Sequence, residues 1–282
     1  GGFVAERGQK EYEEAVNVCK GHIVEGESYE LCLTTKLKSW MRPDPLALYG
    51  VLRQRNRAPY AALLRLGRNS AVCCSSPERF LSVSRQGVVE SRPIKGTRRR
   101  GKCDEEDEDI KKELFGCVKD RAENLMVVDL VRSDLSRVCE PGTVRVPRLF
   151  AIESYATVHQ MVTVVRGSLK SDRSAVDAFE NAFPMGSMTG APKTRTMSLL
   201  EDIEQSPRGL YSGTLGYFSV NGAADLAVVI RTISLSEKGI TVGAGGAITI
   251  LSDAEDEWRE MLLKANSVIE PALEAWGGKN VA

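Results

Sequence analysis

Apolar residues along the chain follow two periods, and these periods divide it into predicted helices and strands. Spacings typical of amphipathic helices predict helices over residues 11–24, 46–55, 110–131, 175–183, 194–203 and 254–276. Alternating or β-rich runs bounded by Gly, Asn, Pro or Ser predict strands over residues 29–35, 60–66, 70–74, 80–84, 87–90, 213–220, 224–233 and 239–250. Asn221-Gly222 and Lys238-Gly239 are hairpin signals between the last three. The four runs between residues 60 and 90 predict an antiparallel meander.

Predicted strands occupy both halves of the chain without regular alternation with helices. This order argues against a doubly wound parallel sheet and predicts an α+β fold, in which helices cover large, mainly antiparallel sheets. Residues 98–102 are expected to form a solvated loop, with a helix beginning in the acidic run 104–109. Because no internal repeat or low-complexity linker interrupts the chain, we expect one domain over residues 1–282.

The charge balance limits the class of partner. The chain has 38 Lys and Arg against 38 Asp and Glu, so its formal net charge is zero. Nucleic acid or an anionic membrane could not be bound by bulk charge, and an anionic ligand must meet a local site. No run approaches the ~18 consecutive apolar residues of a membrane span. The chain begins Gly1-Gly2 without an initiator Met, and we therefore expect it to belong to a longer product.

Seven cysteines form an odd set with no C-x-x-C spacing and no neighbouring His that would complete a zinc site. We expect reduced, mostly buried thiols and a reducing compartment such as the cytosol or the plastid stroma.

The segment from Glu90 to Thr97 places a lysine between a strand-like approach and a Gly turn. Pro93 and Ile94 would desolvate the amine of Lys95 and favour its neutral, nucleophilic form. The alternative is a solvated lysine without a chemical role. The motif taken alone leaves both interpretations open.

Two pairs of carboxylates lie three residues apart, each on one face of a predicted helix. Glu123 follows Asp120, and Glu260 follows Glu257. Two such faces brought together would offer Mg²⁺ the hard oxygen ligands that it prefers. The alternative is surface salt bridging with the arginine inside each pair, and the spacing alone does not decide between them.

Two glycine-rich segments could hold an anion on backbone N–H groups. Gly186–Lys193 precedes a predicted helix, and Gly243–Ala247 lies in a predicted strand. Neither has the spacing of a dinucleotide or P-loop motif, and glycines also serve turns and bulges. Arg231, predicted on an apolar strand, needs a partner there, and a substrate carboxylate is a suitable one.

Together, and in this order, the motifs resemble the chorismate-utilising enzymes, most closely the aminodeoxychorismate synthase branch. The resemblance runs from about Gly21 to the final helix. It rests on Ser76–Phe80, Arg92–Thr97, Lys119–Asn124, Gly186–Lys193, Arg208–Gly213 and Ile230–Thr232. The opening residues and Gly26–Cys32 resemble the plant-type fused enzymes, in which a glutamine amidotransferase domain precedes this one. The implied fold packs the two large sheets as a sandwich with helices on the outside.

The resemblance implies amination of chorismate at C4 with ammonia, giving 4-amino-4-deoxychorismate for 4-aminobenzoate and folate synthesis. By analogy, Lys95 is the nucleophile that adds at C2 and Glu78 is the general acid for the C4 hydroxyl. Ammonia would come from glutamine through a glutaminase domain or subunit. The compartment would be the plastid stroma in a plant or alga, and otherwise the cytoplasm.

The resemblance also assigns the remaining site residues. The ligands of Mg²⁺, which would bind the ring carboxylate, are Glu123, Glu257 and Glu260. The residues that would hold the enolpyruvyl carboxylate are Tyr211, Arg231, Gly245, Gly246 and Ala247. The residues that would line the rest of the substrate pocket are Gly96, Thr97 and Thr189. His159 matches a histidine near the ring hydroxyl, although a core histidine satisfied by protein partners remains an alternative.

Two related activities and a different class remain as alternatives. Anthranilate synthases usually carry a small residue at the position of Lys95, and water-using isochorismate and salicylate synthases place a general-base lysine where this chain has Glu30. A non-catalytic chorismate-binding module is the third possibility. Departures from the family pattern occur at Met185, Ser133 and Ala247. None removes a side chain with an implied chemical role, but Met185 could narrow the pocket rim and alter substrate fit.

Overall fold

The computed structural model describes residues 2–67, 69–155 and 158–277, so the predicted domain bounds at residues 1 and 282 lie outside the described residues. The chain divides into two units, each described here by itself. The first unit comprises Gly1–Pro77, Met188–Leu215 and Val228–Ala282, and the second comprises Glu78–Ser187 and Gly216–Ala227. A single domain over the whole chain stays a prediction.

The described elements are numbered in chain order. The strands are β1 (Val4–Ala5), β2 (Glu30–Ser39), β3 (Tyr60–Arg65), β4 (Ala71–Ser76), β5 (Arg79–Val83), β6 (Val88–Arg92), β7 (Ile94–Arg99), β8 (Arg145–Ser154), β9 (Val158–Ser168), β10 (Gly190–Ala191), β11 (Thr214–Phe218), β12 (Ala224–Val228), β13 (Thr232–Ser236) and β14 (Gly239–Ile248). The helices are α1 (Gln9–Val24), α2 (Pro45–Arg55), α3 (Asp104–Gly116), α4 (Val118–Val138), α5 (Ala175–Ala182), α6 (Lys193–Glu204) and α7 (Ala254–Gly277). A single 3₁₀ turn covers Gly186–Met188.

The first unit is built on an antiparallel sheet in the order β1-β2-β14-β13-β4-β3, and the short strand β10 pairs with β2. Helices α1, α2, α6 and α7 belong to this unit. Their apolar faces and those of the strands form one buried core, represented by the fully buried Tyr12, Leu33, Leu48, Ile233 and Met261. Burial of the apolar stripe, rather than helix propensity, supplies most of the stability of such helices.

The second unit is built on an antiparallel sheet in the order β11-β12-β5-β6-β9-β7, with β8 pairing on β9. Helices α3, α4 and α5 belong to it. A small buried cluster of Leu114, Phe150 and Met161 joins α3 to β8 and β9. The predicted α+β class with mainly antiparallel sheets is confirmed, whereas packing of the sheets as a sandwich stays a prediction.

The predicted helices are confirmed except over residues 110–131. There the chain forms two helices, because Cys117 is extended (φ −66°, ψ 110°) and separates α3 from α4 after Gly116. The helix start in the acidic run is confirmed, since α3 begins at Asp104. The prediction of a solvated loop over residues 98–102 is wrong for its first two residues, because Arg98 and Arg99 complete β7. Among the described residues, no helix is long and apolar enough to span a membrane.

The predicted meander between residues 60 and 90 is wrong in its connectivity. Its four strands exist, but β3 and β4 pair in the first sheet while β5 and β6 pair in the second. Pro77, which has no N–H to donate to a ladder, stands at the point where the chain leaves one sheet for the other.

The predicted strand over residues 224–233 is likewise divided. Its first part is β12 in the second sheet, and its last two residues open β13 in the first sheet. The hairpins at Asn221-Gly222 and Lys238-Gly239 are confirmed.

Strands β8 and β9 were not predicted. β9 is buried along most of its length, so its apolar residues do not alternate with polar ones in the way that identifies a half-buried strand.

Candidate active site

In the second unit, Lys95 lies on a bulge of β7. Ile94 pairs with Val162 and Thr97 with Gln160, so β7 carries one extra residue between these two pairs. Gly96, at the bulge, has φ +87°, a conformation that glycine adopts without strain. The bulge therefore presents Lys95 out of the regular alternation of the strand.

The Lys95 side chain is only 11% exposed, and its Nζ lies 3.7 Å from Oε2 of Glu123, which is 14% exposed. The solvated-lysine interpretation therefore does not describe this residue. Burial favours the neutral amine, and the Glu123 carboxylate favours the ammonium form. Only the first of these effects is predictable from the residues next to Lys95 in the chain.

Close packing holds α3 and α4 against the bulge. A Cβ at Gly96 would lie 2.9 Å from both Cγ of Asp120 and Cδ1 of Leu114. Arg98 donates to Asp120 at 2.9 Å and to both carboxylate oxygens of Glu113 at 2.8 and 3.0 Å. These contacts join the end of α3 to the first turn of α4, the helix that carries Glu123. Lys95, Gly96 and Glu123 thus lie close together in the second unit, and the roles assigned to them stay predictions.

Glu78 and Thr97 also belong to the second unit. Glu78 is buried and stands between Pro77 and the first residue of β5. Thr97 is exposed on β7 opposite Gln160. The roles of Glu78 as general acid and of Thr97 in the pocket wall stay predictions.

His159 is fully buried on β9, and both of its ring nitrogens have protein partners. Nε2 lies 2.8 Å from Oδ1 of Asp107, and Nδ1 lies 2.9 Å from Oγ of Ser154. Because a carboxylate only accepts hydrogen bonds, Nε2 donates to Asp107, and Nδ1 shares a hydrogen bond with the Ser154 hydroxyl. This is the arrangement of the core-histidine alternative. A contact of His159 with substrate stays a prediction and requires one of these bonds to break.

Asp107 is held mainly by an arginine. Arg100 donates to its two oxygens at 2.9 and 2.8 Å, and the backbone N–H of Gly101 donates at 2.7 Å. The Arg100 hydrogen bonds come first among the causes that hold the pKa of Asp107 well below its usual range, and the contacts with Gly101 and His159 add to them.

In the first unit, β14 leaves part of its backbone available. It pairs with β13 only from Gly239 to Val242, whereas its ladder with β2 continues to Ile248. Beyond Val242, the N–H and C=O groups of alternate residues therefore face away from β2, on the side where β13 no longer pairs. The predicted carboxylate-binding residues Gly245, Gly246 and Ala247 lie on this segment.

Tyr211 packs over the start of the same segment. A Cβ at Gly243 would overlap the Tyr211 ring, so this position requires glycine. Burial raises the pKa of Tyr211 well above its ordinary value, and the nearby positive charges of Arg231 and Arg208 act in the opposite direction. The prediction that Arg231 lies on a strand is wrong. Arg231 lies between β12 and β13 with φ +49°, where the chain passes between sheets.

Thr189 lies between the 3₁₀ turn and β10 and is buried, 4% exposed. Its carbonyl accepts from the N–H of Cys32 at 2.8 Å. The next residue, Gly190, has φ +143°, and a Cβ there would overlap the carbonyl oxygen of Glu30. The glycine allows β10 to approach β2 closely and so fixes the backbone at Thr189.

The first turns of α7 carry two predicted metal ligands, and one of them, Glu257, lies against a glycine of β14. Glu257 is buried and accepts from the Ser252 hydroxyl at 2.6 Å, and a Cβ at Gly246 would lie 2.8 Å from Oε2 of Glu257. Glu260 forms an ion pair with Lys264, with 2.6 Å between its Oε1 and the lysine Nζ. Arg259, considered as a salt-bridge partner for these acids, pairs with Glu255 and Asp256.

Lys264 was not singled out from the sequence. Its Nζ donates to the carbonyl oxygen of Gly245 at 3.0 Å as well as pairing with Glu260. The available signal was its spacing, because residues 257, 260 and 264 share one face of a helix. Lys264 therefore adds a cation to the group formed by the β14 glycines and the α7 carboxylates.

The three predicted ligands of Mg²⁺ are divided between the units. Glu257 and Glu260 belong to the first and Glu123 to the second. Within residues 2–67, 69–155 and 158–277, no group of three or more His, Cys, Asp or Glu side chains is placed to hold a metal ion. The donor chemistry nevertheless fits Mg²⁺, because carboxylate oxygens are hard ligands and two of the three carboxylates already face a cation. The magnesium site stays a prediction.

A cavity of about 520 Å³ lies elsewhere in the first unit. Its lining includes Arg42, Asp44, Arg65 and Glu237, together with apolar side chains such as Leu235. It contains none of the predicted site residues.

Comparisons with known proteins find relatives along nearly the whole chain. The family model described as chorismate binding enzyme matches residues 2–270. The chain is 54% identical to "Probable aminodeoxychorismate synthase, chloroplastic" of Oryza sativa subsp. japonica over 94% of its own length, and 53% identical to "Aminodeoxychorismate synthase, chloroplastic" of Arabidopsis thaliana over 95%. It spans 30% of the length of each of these relatives.

A solved structure, anthranilate synthase component I from Streptococcus pneumoniae, matches with a TM-score of 0.87 and 31% identity. The match covers 95% of this chain and 59% of that one. The fold, the ordered motifs and the family model agree, and the chain belongs to the family of chorismate binding enzymes.

Proposed function

We propose that this chain carries the synthase activity of an aminodeoxychorismate synthase, which aminates chorismate at C4 to give 4-amino-4-deoxychorismate. The product would lead to 4-aminobenzoate and folate. The names of the two plant relatives support this proposal, although the chain corresponds to only part of their length.

The observation that carries the proposal is the buried Lys95 on the β7 bulge, 3.7 Å from Glu123. Direct replacement of the C4 hydroxyl by ammonia is difficult because hydroxide is a poor leaving group. A buried, correctly placed amine offers a covalent route that divides the substitution into two easier steps. A small residue at this position would leave direct attack of ammonia as the available route.

In the first proposed step, the neutral amine of Lys95 adds at C2. The ring double bond shifts, and the C4 hydroxyl leaves as water with a proton from Glu78. In the second step, ammonia adds at C4, the double bond returns, and the bond from C2 to Lys95 breaks. The added ammonia loses one proton as it becomes the amine, and this proton restores Glu78, so both the lysine and the acid are regenerated with no net oxidation or reduction.

Residues of the first unit would hold the substrate. Tyr211, Arg231 and the backbone N–H groups at Gly245–Ala247 would bind the enolpyruvyl carboxylate. Their support is the side of β14 that β13 does not cover beyond Val242 and the closeness of the Arg231 charge to Tyr211. Thr189 would contribute to the remaining wall, as would Gly96 and Thr97 of the second unit, and His159 would lie near the ring hydroxyl.

Magnesium belongs to the proposal as the resident metal. Glu123, Glu257 and Glu260 would hold it, and when bound it would neutralise the ring carboxylate of chorismate. The support is the donor set itself and the lysines beside two of its members. Ammonia would come from glutamine through a glutamine amidotransferase domain or subunit. The plastid is the proposed compartment if the source is a plant or alga, because both plant relatives are named chloroplastic.

The test is product analysis by liquid chromatography and mass spectrometry on the chain with chorismate, ammonium and Mg²⁺. The wild type should form aminodeoxychorismate, and Lys95→Ala should lower the rate by at least about a hundredfold. Lys112→Ala is the matched control, since Lys112 is an exposed lysine of the same unit and, within the described part of the chain, forms its ion pair with nearby Asp109 on α3. It should leave the rate unchanged.

Other outcomes would replace the proposal. Fluorescent anthranilate with pyruvate, formed without an added lyase, would identify an anthranilate synthase. Chorismate binding by calorimetry without any turnover would identify a non-catalytic module. Aminodeoxychorismate formation that survives in Lys95→Ala would leave the activity in place and rule out the covalent route.

A further inference from the structure

Arg208 opens the segment Arg208–Gly213, yet the proposed chemistry gives it no role. Its side chain is 19% exposed, and all five of its N–H donors have acceptors in the first unit. The acceptors are Oε1 and Oε2 of Glu204 at 2.7 and 2.8 Å, the Met188 carbonyl at 2.6 Å, the Cys32 carbonyl at 2.8 Å and Oγ of Ser212 at 3.2 Å.

Two of these acceptors adjoin predicted substrate-binding residues. Met188 directly precedes Thr189, and Ser212 directly follows Tyr211. The same guanidinium nitrogen, Nη1, donates to both. A third acceptor, Cys32, also donates its own N–H to the Thr189 carbonyl at 2.8 Å. The carbonyl groups of Met188 and Thr189 therefore both accept hydrogen bonds, and these bonds fix the backbone at Thr189.

The network extends toward Arg231 through the backbone. The N–H of Ser212 donates to the Val229 carbonyl at 3.0 Å, and the N–H of Val229 donates to the Gly213 carbonyl at 2.8 Å. Val229 stands two residues before Arg231. A displacement of the Arg208 segment would therefore be transmitted to both side chains that are proposed to hold the enolpyruvyl carboxylate.

Glu204 is itself fixed, which makes the arginine rigid. It is 8% exposed, and its Oε1 accepts from the N–H and the hydroxyl of Thr34, each at 2.9 Å. Burial alone would lower the pKa of Arg208, but the hydrogen bonds and charge of Glu204 raise it above its ordinary value. The pair is mostly shielded from solvent and fully hydrogen-bonded, and loss of either partner would leave a largely desolvated charge unpaired.

We propose that Arg208 is a positioning residue for substrate binding: its guanidinium holds the Thr189 and Tyr211 segments at one fixed separation. This inference rests on the proposed function for the identity of the substrate, but the clamp itself is a property of the first unit. Lysine cannot replace this arginine, because an ammonium has three donors and lacks the planar fork that reaches five acceptors.

The test compares Arg208→Lys with Arg7→Lys. Arg7 also binds the end of α6, donating to the Ile203 carbonyl at 2.6 Å and the Glu204 carbonyl at 3.3 Å, but it has no hydrogen bond with Met188 or Ser212. Arg208→Lys should raise the KM for chorismate at least about tenfold, with a smaller change in kcat, because the binding residues are misplaced. Arg7→Lys should leave KM within about twofold of the wild type, within the usual scatter of such measurements.

Hydrogen–deuterium exchange supplies a readout that does not depend on activity. In Arg208→Lys, amides of residues 188–191 and 208–213 should exchange at least about tenfold faster, while those of β13 stay protected. Arg7→Lys should not change these two segments. If Arg208→Lys does not fold, Ser212→Ala removes a single acceptor, and it should raise KM and exchange in the same direction by a smaller factor.

The outcomes separate the clamp from the proposed function. A wild-type chain that does not convert chorismate defeats the proposed function, and the exchange experiment still tests the clamp. Equal effects of the two lysine variants on KM and exchange, at equal loss of stability, would show that Arg208 is merely structural. Unchanged KM and exchange in Arg208→Lys would overturn the inference outright.

Discussion

The glycine beside Lys95 provides a direct test of how the second unit packs. Gly96 has φ +87°, and a Cβ there would lie 2.9 Å from Cγ of Asp120 and from Cδ1 of the fully buried Leu114. Gly96→Ala therefore combines backbone strain with overpacking. Carbon atoms pack at about 3.5 Å or more, so α3 and α4 must retreat from the bulge by about 0.6 Å.

The magnitude follows from these two effects. A non-glycine residue in the left-handed region costs roughly 1–2 kcal/mol, and overpacking of a filled core costs about 1–3 kcal/mol, so Gly96→Ala should lower the free energy of unfolding by about 2–5 kcal/mol. Retreat of α4 also moves Glu123 away from Lys95. A misplacement of this size should lower the rate of aminodeoxychorismate formation about tenfold.

Gly87→Ala is the matched control. Gly87 belongs to the same unit and has φ +75°, but the nearest atom to its added Cβ is Cβ of Leu169 at 3.9 Å, an ordinary contact. This variant should lose only about 1–2 kcal/mol and keep its activity. Urea unfolding of the wild type and both variants measures the stability difference, and product analysis on chorismate and ammonium measures the rate.

The difference between the two variants isolates the packing contribution. If Gly96→Ala is no less stable than Gly87→Ala, then α3 and α4 do not lie close over the bulge, and the reasoning about Lys95 and Glu123 fails with it. If Gly96→Ala is less stable but its rate per folded molecule is unchanged, the packing is right and its link to the reaction is wrong.

Two further predictions concern titration and thiol chemistry. The pKa of Asp107 is lowered in the folded protein, so its contribution to stability is present above its unfolded value of about 4 and is lost as the pH falls further. The wild type should therefore exceed Asp107→Asn in unfolding free energy by the largest amount at neutral pH, and this difference should shrink below about pH 4. A difference that persists in acid would show that the Asp107 carboxylate is not its source. Burial raises the pKa of both Cys19 and Cys73 to about 12, so a thiol reagent at neutral pH should label exposed Cys103 first and half-exposed Cys117 more slowly. Mass spectrometry of labelled peptides checks this order, and rapid labelling of Cys73 would show that its surroundings open.

Local patterns in the sequence were sufficient for most of the elements. The α1 stripe of Tyr12, Ala15, Val16 and Cys19 is buried as its spacing predicted, and Asn221-Gly222 forms the expected hairpin. The expectation of mostly buried thiols is confirmed, because five of the seven cysteines are buried, whereas their reduced state stays a prediction. These features depend on residues near one another in the chain, which is why the sequence predicted them.

Connections between sheets were not predictable in the same way. A β-rich run such as residues 224–233 has the same composition whether it continues in one sheet or passes to another, and only the partners of β12 and β13 distinguish the two cases. The left-handed backbone of Arg231 follows from that passage. Its charge and spacing identified it as a candidate ligand, but its conformation depends on strands that are distant in sequence.

The same limit explains what sequence reasoning omitted at Lys95. Pro93 and Ile94 are adjacent in the chain, so the desolvation of the amine was predictable from the motif. Glu123 reaches Lys95 because a bulge on β7 and the break at Cys117 bring α4 over the strand, and the glycines beside these features, Gly96 and Gly116, do not indicate which helix covers which strand. The chemistry of the lysine depends on both effects together. Recognition of the motif therefore identifies the proposed nucleophile, whereas the control of its charge has to be derived from the packing of α3 and α4.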